Sequence, residues 1–226
     1  MRFQDFVKDW AGSRHFILAP YRSKHRGLWM DSVTSIKRER ALLLSHCEAC
    51  QIISAVRATE RLGGDIAEVG VAYGASAKLI AMYAAGRQLH LFDTFDGLPE
   101  LAGIDSRKFS KGQFRCSLEE VRRYVGENRV HFYKGLFPTT AGPVKDKMFS
   151  FVHLDVDLYE STLAALEFFY PRMCPGAILV SHDYLTSGGV NTAFAEFFAH
   201  KPEPVVELTG YQCMVVRCST DGRKPD

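Results

Sequence analysis

Short, uniformly apolar runs recur along the chain between segments whose apolar residues fall at helical spacing. The most uniform is Phe149 to Leu154, which reads as a strand buried on both faces. Similar runs begin at Asp65 and cover Gln88 to Phe92, Arg129 to Lys134 and Ala177 to Val180. Two more, Val205 to Thr209 and Gln212 to Arg217, are joined by Gly210-Tyr211 as a tight hairpin. Helical periodicity predicts one amphipathic helix over Glu39 to Arg61, with Leu42, Leu43, His46, Ala49, Cys50, Ile53, Val56 and Ala58 on its apolar side and Gly63-Gly64 as its stop. Further helices are predicted over Ser76 to Ala85, Leu118 to Val125, Thr162 to Tyr170, where Ser161 is the expected cap, and Val190 to Phe198. Five strands alternating with helices, then a hairpin, specify an α/β fold. The parallel strands have right-handed crossovers, helices cover both faces, and ligands belong at the carboxyl ends of the strands.

Residues 1–38 fit this pattern poorly. They are aromatic and basic and are broken by Gly12, Pro20 and Gly27, so the expectation is an irregular arm or lid. The remainder, 39–218, reads as one domain, followed by a polar tail, 219–226, expected to be disordered. A chain of 226 residues with 46% hydrophobic side chains buries one substantial core. A net charge of +2 gives no field suited to nucleic acid, and no run approaches the roughly 20 apolar residues that span a bilayer. Six scattered cysteines and no signal-like amino terminus make a soluble, cytoplasmic protein with reduced thiols the expectation.

Candidate chemistry falls at the strand ends. Asp65-Ile-Ala-Glu-Val-Gly-Val-Ala-Tyr-Gly is a strand running into a turn where Gly70 and Gly74 permit a close ligand approach, and the following helix start favours polar or anionic groups. Neither a Gly-x-Gly-x-x-Gly fingerprint nor a Walker lysine is present, which weighs against a dehydrogenase or a P-loop enzyme. Asp93 follows the second strand, roughly 20 residues beyond the glycine turn, where an acid can accept from both ribose hydroxyls. After it, the polar passage to Gly112 is a candidate mobile loop. Asp155 and Asp157 would lie on one face roughly 7 Å apart if the chain stays extended, a spacing suited to metal binding, base catalysis or both. His182 and Asp183 end the fifth strand, so these groups converge on one crevice. His153, inside its strand, is expected to be a satisfied core imidazole.

Four stretches together resemble the macrocin and mycinamicin O-methyltransferase family. They are Glu68-Val-Gly-Val-Ala-Tyr-Gly-Ala-Ser76, Leu91-Phe-Asp-Thr-Phe-Asp-Gly-Leu-Pro99, Phe151-Val-His-Leu-Asp-Val-Asp-Leu-Tyr-Glu-Ser-Thr162 and His182-Asp-Tyr184. The resemblance runs from about Glu39 to Arg217. It implies a Rossmann-like class I methyltransferase fold whose seven-stranded, mostly parallel sheet has its last strand antiparallel. It also implies S-adenosylmethionine as donor, a divalent metal, usually magnesium, and a hydroxyl acceptor on a sugar, glycoside or other small natural product. Carried onto this sequence, the cofactor positions are Glu68, Gly70, Tyr73, Ser76, Asp93, Thr94, Gly135 and Asp155. The metal positions are Asp155, His182 and Asp183, and the general base is Asp157. Relatives often assemble through their amino-terminal arms, so a homo-oligomer is expected.

His182 departs from the family's commoner Asp-Asp pair. Magnesium prefers oxygen ligands, whereas imidazole suits manganese, iron, nickel or zinc. Either the metal is softer, or His182 supports the ligands from behind, or metal use is lost; the reading adopted is a retained metal held most firmly by Asp155 and Asp183. Two other classes remain open at this level. A nucleoside-binding protein would have no use for Asp155, Asp157 and Asp183 together, and a nicotinamide-dependent oxidoreductase would want a tighter glycine fingerprint and a proton donor that the sequence lacks.

Overall fold

The computed structural model describes residues 24–99 and 109–219. Expectations for 1–23, for the middle of the 94–115 passage and for 220–226 lie outside the described residues. Two helices come first, α1 (Lys24–Glu39) and α2 (His46–Ala58). The alternating part follows with β1 (Asp65–Val69), α3 (Ala75–Tyr83), β2 (Leu89–Asp93), α4 (Leu118–Val125), β3 (Val130–Lys134), β4 (Phe149–Leu154), α5 (Tyr159–Phe169), β5 (Met173–Ser181) and α6 (Gly188–Phe198). The hairpin strands β6 (Val206–Glu207) and β7 (Cys213–Val216) close the sheet. Strand order is β3-β2-β1-β4-β5-β7-β6, with β7 antiparallel to both neighbours and the other pairings parallel.

Alternation along the central strands feeds two cores. Ile66, Leu89, Leu91, Phe151 and Val180 pack with Val33, Ile52, Ile53 and Leu79 on the face covered by α1, α2 and α3. Their neighbours Ala67, Val69, Phe92, Val152, Leu154 and Leu179 pack with Leu166, Phe169 and Phe194 of α5 and α6. Strands buried on both faces need apolar residues at every position, which is why Phe149 to Leu154 reads as an unbroken run. Among the described residues, no helix is long and apolar enough to cross a membrane.

Three expectations are corrected. The basic stretch before residue 39 is not irregular throughout, because 24–39 is a helix packed on α2 and α3. Nor is Glu39 to Arg61 one helix: α1 ends at Glu39 and α2 begins only at His46. The physical reason is a capping box. The Ser45 hydroxyl accepts from the Glu48 amide (3.2 Å) and the Glu48 carboxylate accepts from the Ser45 amide (2.7 Å), a start signal that outweighs the continuing apolar period. In α5, Ser161 is not the cap, since the helix starts at Tyr159 with Leu158 at its N-cap and no side-chain bond there.

Candidate active site

The sheet reverses its order between β1 and β4, the place where an open α/β sheet leaves a crevice at its carboxyl edge. Backbone bonds continue past the strand ends: Gly70 N–H donates to Phe92 (2.9 Å), Asp155 N–H to Val69 (2.9 Å) and His182 N–H to Leu154 (2.9 Å). These bonds align the turns after β1, β4 and β5 side by side. At Gly70, φ is +86° and a Cβ would lie 1.8 Å from the Asp155 carbonyl oxygen, so the crevice closes to this width only around glycine.

Asp93 ties the glycine turn down. One carboxylate oxygen accepts from the amides of Val71 (2.7 Å) and Ala72 (2.9 Å), and the other accepts from Phe95 (2.6 Å). The carboxylate expected to face a ribose is therefore first a clamp on the loop, and Asp93 also lines the cavity. Tyr73, Ser76, Thr94 and Gly135 line the same cavity, about 340 Å³ in volume. Glu68 does not. Its side chain is fully buried inside β1 and bonds His153 Nδ1 at 2.9 Å across the β1–β4 register, leaving His153 Nε2 without a hydrogen-bond partner. Burial pushes the Glu68 carboxyl up despite its bonds to His153 and Ser76, so the pair is an interior group behind the crevice.

Asp155 and Asp157 do not share an extended segment. The strand ends at Leu154, Asp157 sits at φ +62°, and a tight Leu158 N–H to Val156 bond (2.6 Å) turns the chain. Ser187 Oγ donates to the Asp157 carbonyl (2.9 Å) and fixes the bend from just before α6. This folded turn, rather than strand period, directs both carboxylates into the cavity.

There they meet the end of β5. His182 Nδ1 lies 3.3 Å from Asp155 Oδ1 and 3.0 Å from Asp183 Oδ2, while its buried Nε2 makes no hydrogen bond and faces Glu48 Oε1 at an ion-pair distance of 3.5 Å. Asp155, His182 and Asp183 offer donor atoms within 4.8 Å of one another. Burial works against a charged imidazole, but the bonds to Asp155, Asp183 and Glu48 hold His182 up at about 12. Burial first, and then the charges of Asp155 and Asp183, push Asp157 up to about 9, and it hydrogen-bonds Asp183. Asp183 is itself held well below the usual carboxylate range, its burial outweighed by His182. Asp155, Asp157 and Asp183 thus crowd around the His182 ring. The carboxylate oxygens of Asp155 and Asp183, joined by His182 Nδ1 once a cation displaces its proton, fit a divalent cation, whose charge would offset the crowding around Asp157.

Sequence reasoning missed two parts of the site. The wall formed by Leu42, Leu43 and Leu44 comes from the α1–α2 connection, whereas Phe109 and Phe114 come from the 94–115 passage expected to lie over the site. Glu48 was also missed, its only sequence signal being the capping box that hides a second contact.

Residues 25–210 match the family model described as macrocin-O-methyltransferase (TylF). The 8-demethyl-8-(2,3-dimethoxy-alpha-L-rhamnosyl)-tetracenomycin-C 4'-O-methyltransferase of Streptomyces olivaceus is 34% identical over 139 residues, which is 54% of this chain and 53% of that protein. A demethyldecarbamoylnovobiocin O-methyltransferase of Streptomyces niveus is 29% identical over 154 residues, 60% of this chain and 58% of that protein. The chain thus spans little more than half the length of either relative. The O-methyltransferase NovP has the same fold, with a TM-score of 0.76 over 86% of this chain and 98% of its own, at 20% identity.

Proposed function

Because the chain belongs to the macrocin-O-methyltransferase family, we propose that it transfers a methyl group from S-adenosylmethionine to a hydroxyl of a sugar or other small natural product. One observation carries the reading. The Asp93-clamped glycine turn and the Asp155, Asp157, His182, Asp183 cluster open into a single cavity, so donor and acceptor sites are continuous. The Streptomyces olivaceus relative, whose name describes a 4'-O-methyltransferase of a rhamnosyl-tetracenomycin, supports a glycoside acceptor.

The donor's methionine end belongs beside Gly70 and Tyr73, and its ribose beside Asp93. In the reaction a lone pair of the acceptor oxygen forms the O–C bond to the methyl carbon as the C–S bond breaks. Its electrons go to sulfur, leaving a neutral thioether. The hydroxyl proton goes to the Asp157 carboxylate, which is 9% exposed and held at the cavity floor by the bend that Ser187 fixes. Asp155, His182 and Asp183 are the residues to hold a divalent cation. Bound there, it would lower the pKa of the acceptor hydroxyl and offset the crowded carboxylates, leaving Asp157 ionised. Leu43 and Leu136, both exposed where they line the cavity, would pack on the acceptor's apolar part.

The test is incubation with methyl-labelled donor and divalent cation against a panel of glycosides and nucleotide-linked sugars, alongside a thermal-shift assay with S-adenosylhomocysteine. Label on an acceptor oxygen is the expected outcome. Absence of both transfer and any stabilisation by S-adenosylhomocysteine would overturn the assignment.

A further inference from the structure

Glu48 performs more than a helix cap requires. A capping-box glutamate needs one oxygen for the N-cap amide, and Glu48 Oε2 meets that need at Ser45 (2.7 Å). Its Oε1 accepts the amide of Tyr211, from the turn between β6 and β7, at 2.8 Å. That turn is shaped around the carboxylate: at Gly210, φ is +94° and a Cβ would lie 2.5 Å from Oε1. The side chain is 2% exposed, so two backbone amides from segments more than 160 residues apart hold it in one orientation. In that orientation Oε1 faces His182 Nε2 at 3.5 Å, and the opposite ring nitrogen faces Asp155 and Asp183.

We propose that Glu48 is a positioning residue that holds His182 with Nε2–H toward α2 and Nδ1 toward the two aspartates, so that His182 meets a divalent cation through Nδ1. The inference rests on the metal reading given above and deepens it. An imidazole ligand that donates its other N–H to a carboxylate is fixed in tautomer and ring orientation and becomes a better electron donor. Such a nitrogen favours manganese, iron, nickel or zinc relative to magnesium, which takes oxygen ligands by preference. The His182-Asp183 pair therefore implies a softer metal, with Glu48 as the group that makes the nitrogen available.

The direct test is nitrogen-15 NMR of the imidazole rings in the whole protein loaded with zinc, with the His182 signals assigned by their loss in His182→Gln. A zinc-bound Nδ1 beside a protonated Nε2 is expected; zinc on Nε2, or a His182 ring unchanged by a zinc ion that does bind, overturns the inference. Calorimetry with zinc and with manganese gives a second readout. Glu48→Gln offers one acceptor where two are needed and should weaken binding of both ions by roughly 10- to 100-fold. Magnesium, held chiefly through the aspartates, should be affected less, and S-adenosylhomocysteine affinity should stay the same. Ser45→Ala removes the cap partner and keeps the Glu48–His182 contact, so it should lower the melting temperature with metal affinity intact. Equal metal affinity in Glu48→Gln and wild type would overturn the positioning role alone. A wild-type chain that binds no divalent ion would overturn the metal reading itself. If Glu48→Gln does not fold, the wild-type spectrum still decides.

Discussion

Replacing Gly70 with alanine tests the geometry on which the whole site depends. The new Cβ would start 1.8 Å from the Asp155 carbonyl oxygen and 2.6 Å from its carbon, and real contacts of this kind do not fall below 3.0 Å, so β1 and β4 must part by about 1.2 Å. The obstructing atoms are backbone, and no rotamer change relieves them. The left-handed φ of +86° costs a non-glycine residue about 1–2 kcal/mol. Parting the strand ends strains the Asp155 to Val69 bond between them and the Gly70 to Phe92 bond at the substituted residue, worth about 0.5–1.5 kcal/mol each. The expected loss is about 2–5 kcal/mol, which for a chain of this size lowers the melting temperature by roughly 4–20 °C. Gly86→Ala is the internal control. Its φ is +79° with nothing within 4 Å of the added carbon, so only the conformational cost of about 1–2 kcal/mol applies. Calorimetric melting of both variants separates overlap from strain, and S-adenosylhomocysteine and metal binding should fall in Gly70→Ala alone. If the two variants melt together and bind alike, the crevice is not held by this contact and the argument for the site's width fails.

Asp157→Asn should lower turnover by roughly 10²- to 10⁴-fold while leaving S-adenosylhomocysteine affinity nearly unchanged, as steady-state kinetics and calorimetry would report; wild-type turnover would remove its role as base. Asp93→Ala leaves the amides of Val71, Ala72 and Phe95 without their acceptor. It should cost about 2–4 kcal/mol in urea unfolding and weaken cofactor binding as well, and a loss of cofactor affinity with stability intact would make Asp93 a ribose ligand and not a clamp. A divalent ion at roughly 100 times its Kd should stabilise the protein by about 2.7 kcal/mol, and chelator should reverse the shift in melting temperature. Asp183→Asn should abolish most of that shift, and its persistence there would place the ion elsewhere.

The sequence by itself determined the layered fold and the location of the chemistry. Apolar runs of strand length separated by helix-period segments permit few topologies, and a parallel sheet sends its loops, with Gly70, Asp93, Asp155 and His182, to one edge. The turn after β1 and the acid after β2 were legible because each local function needs a particular residue type there. What only the tertiary structure decided were the pairings between distant segments. Nothing local to Glu68 says that it faces His153 across the β1–β4 pairing, and nothing local to Asp157 reveals the bend that Ser187, just before α6, secures. The break between α1 and α2 is a capping box hidden inside an apolar period that alone favours continuation. The contact of Glu48 with His182 depends on α2, β5 and the Tyr211 turn meeting at one point. Burial and charge at that point are properties of the assembled molecule, because Asp157 and Asp183 are shifted by burial and by partners that other segments supply.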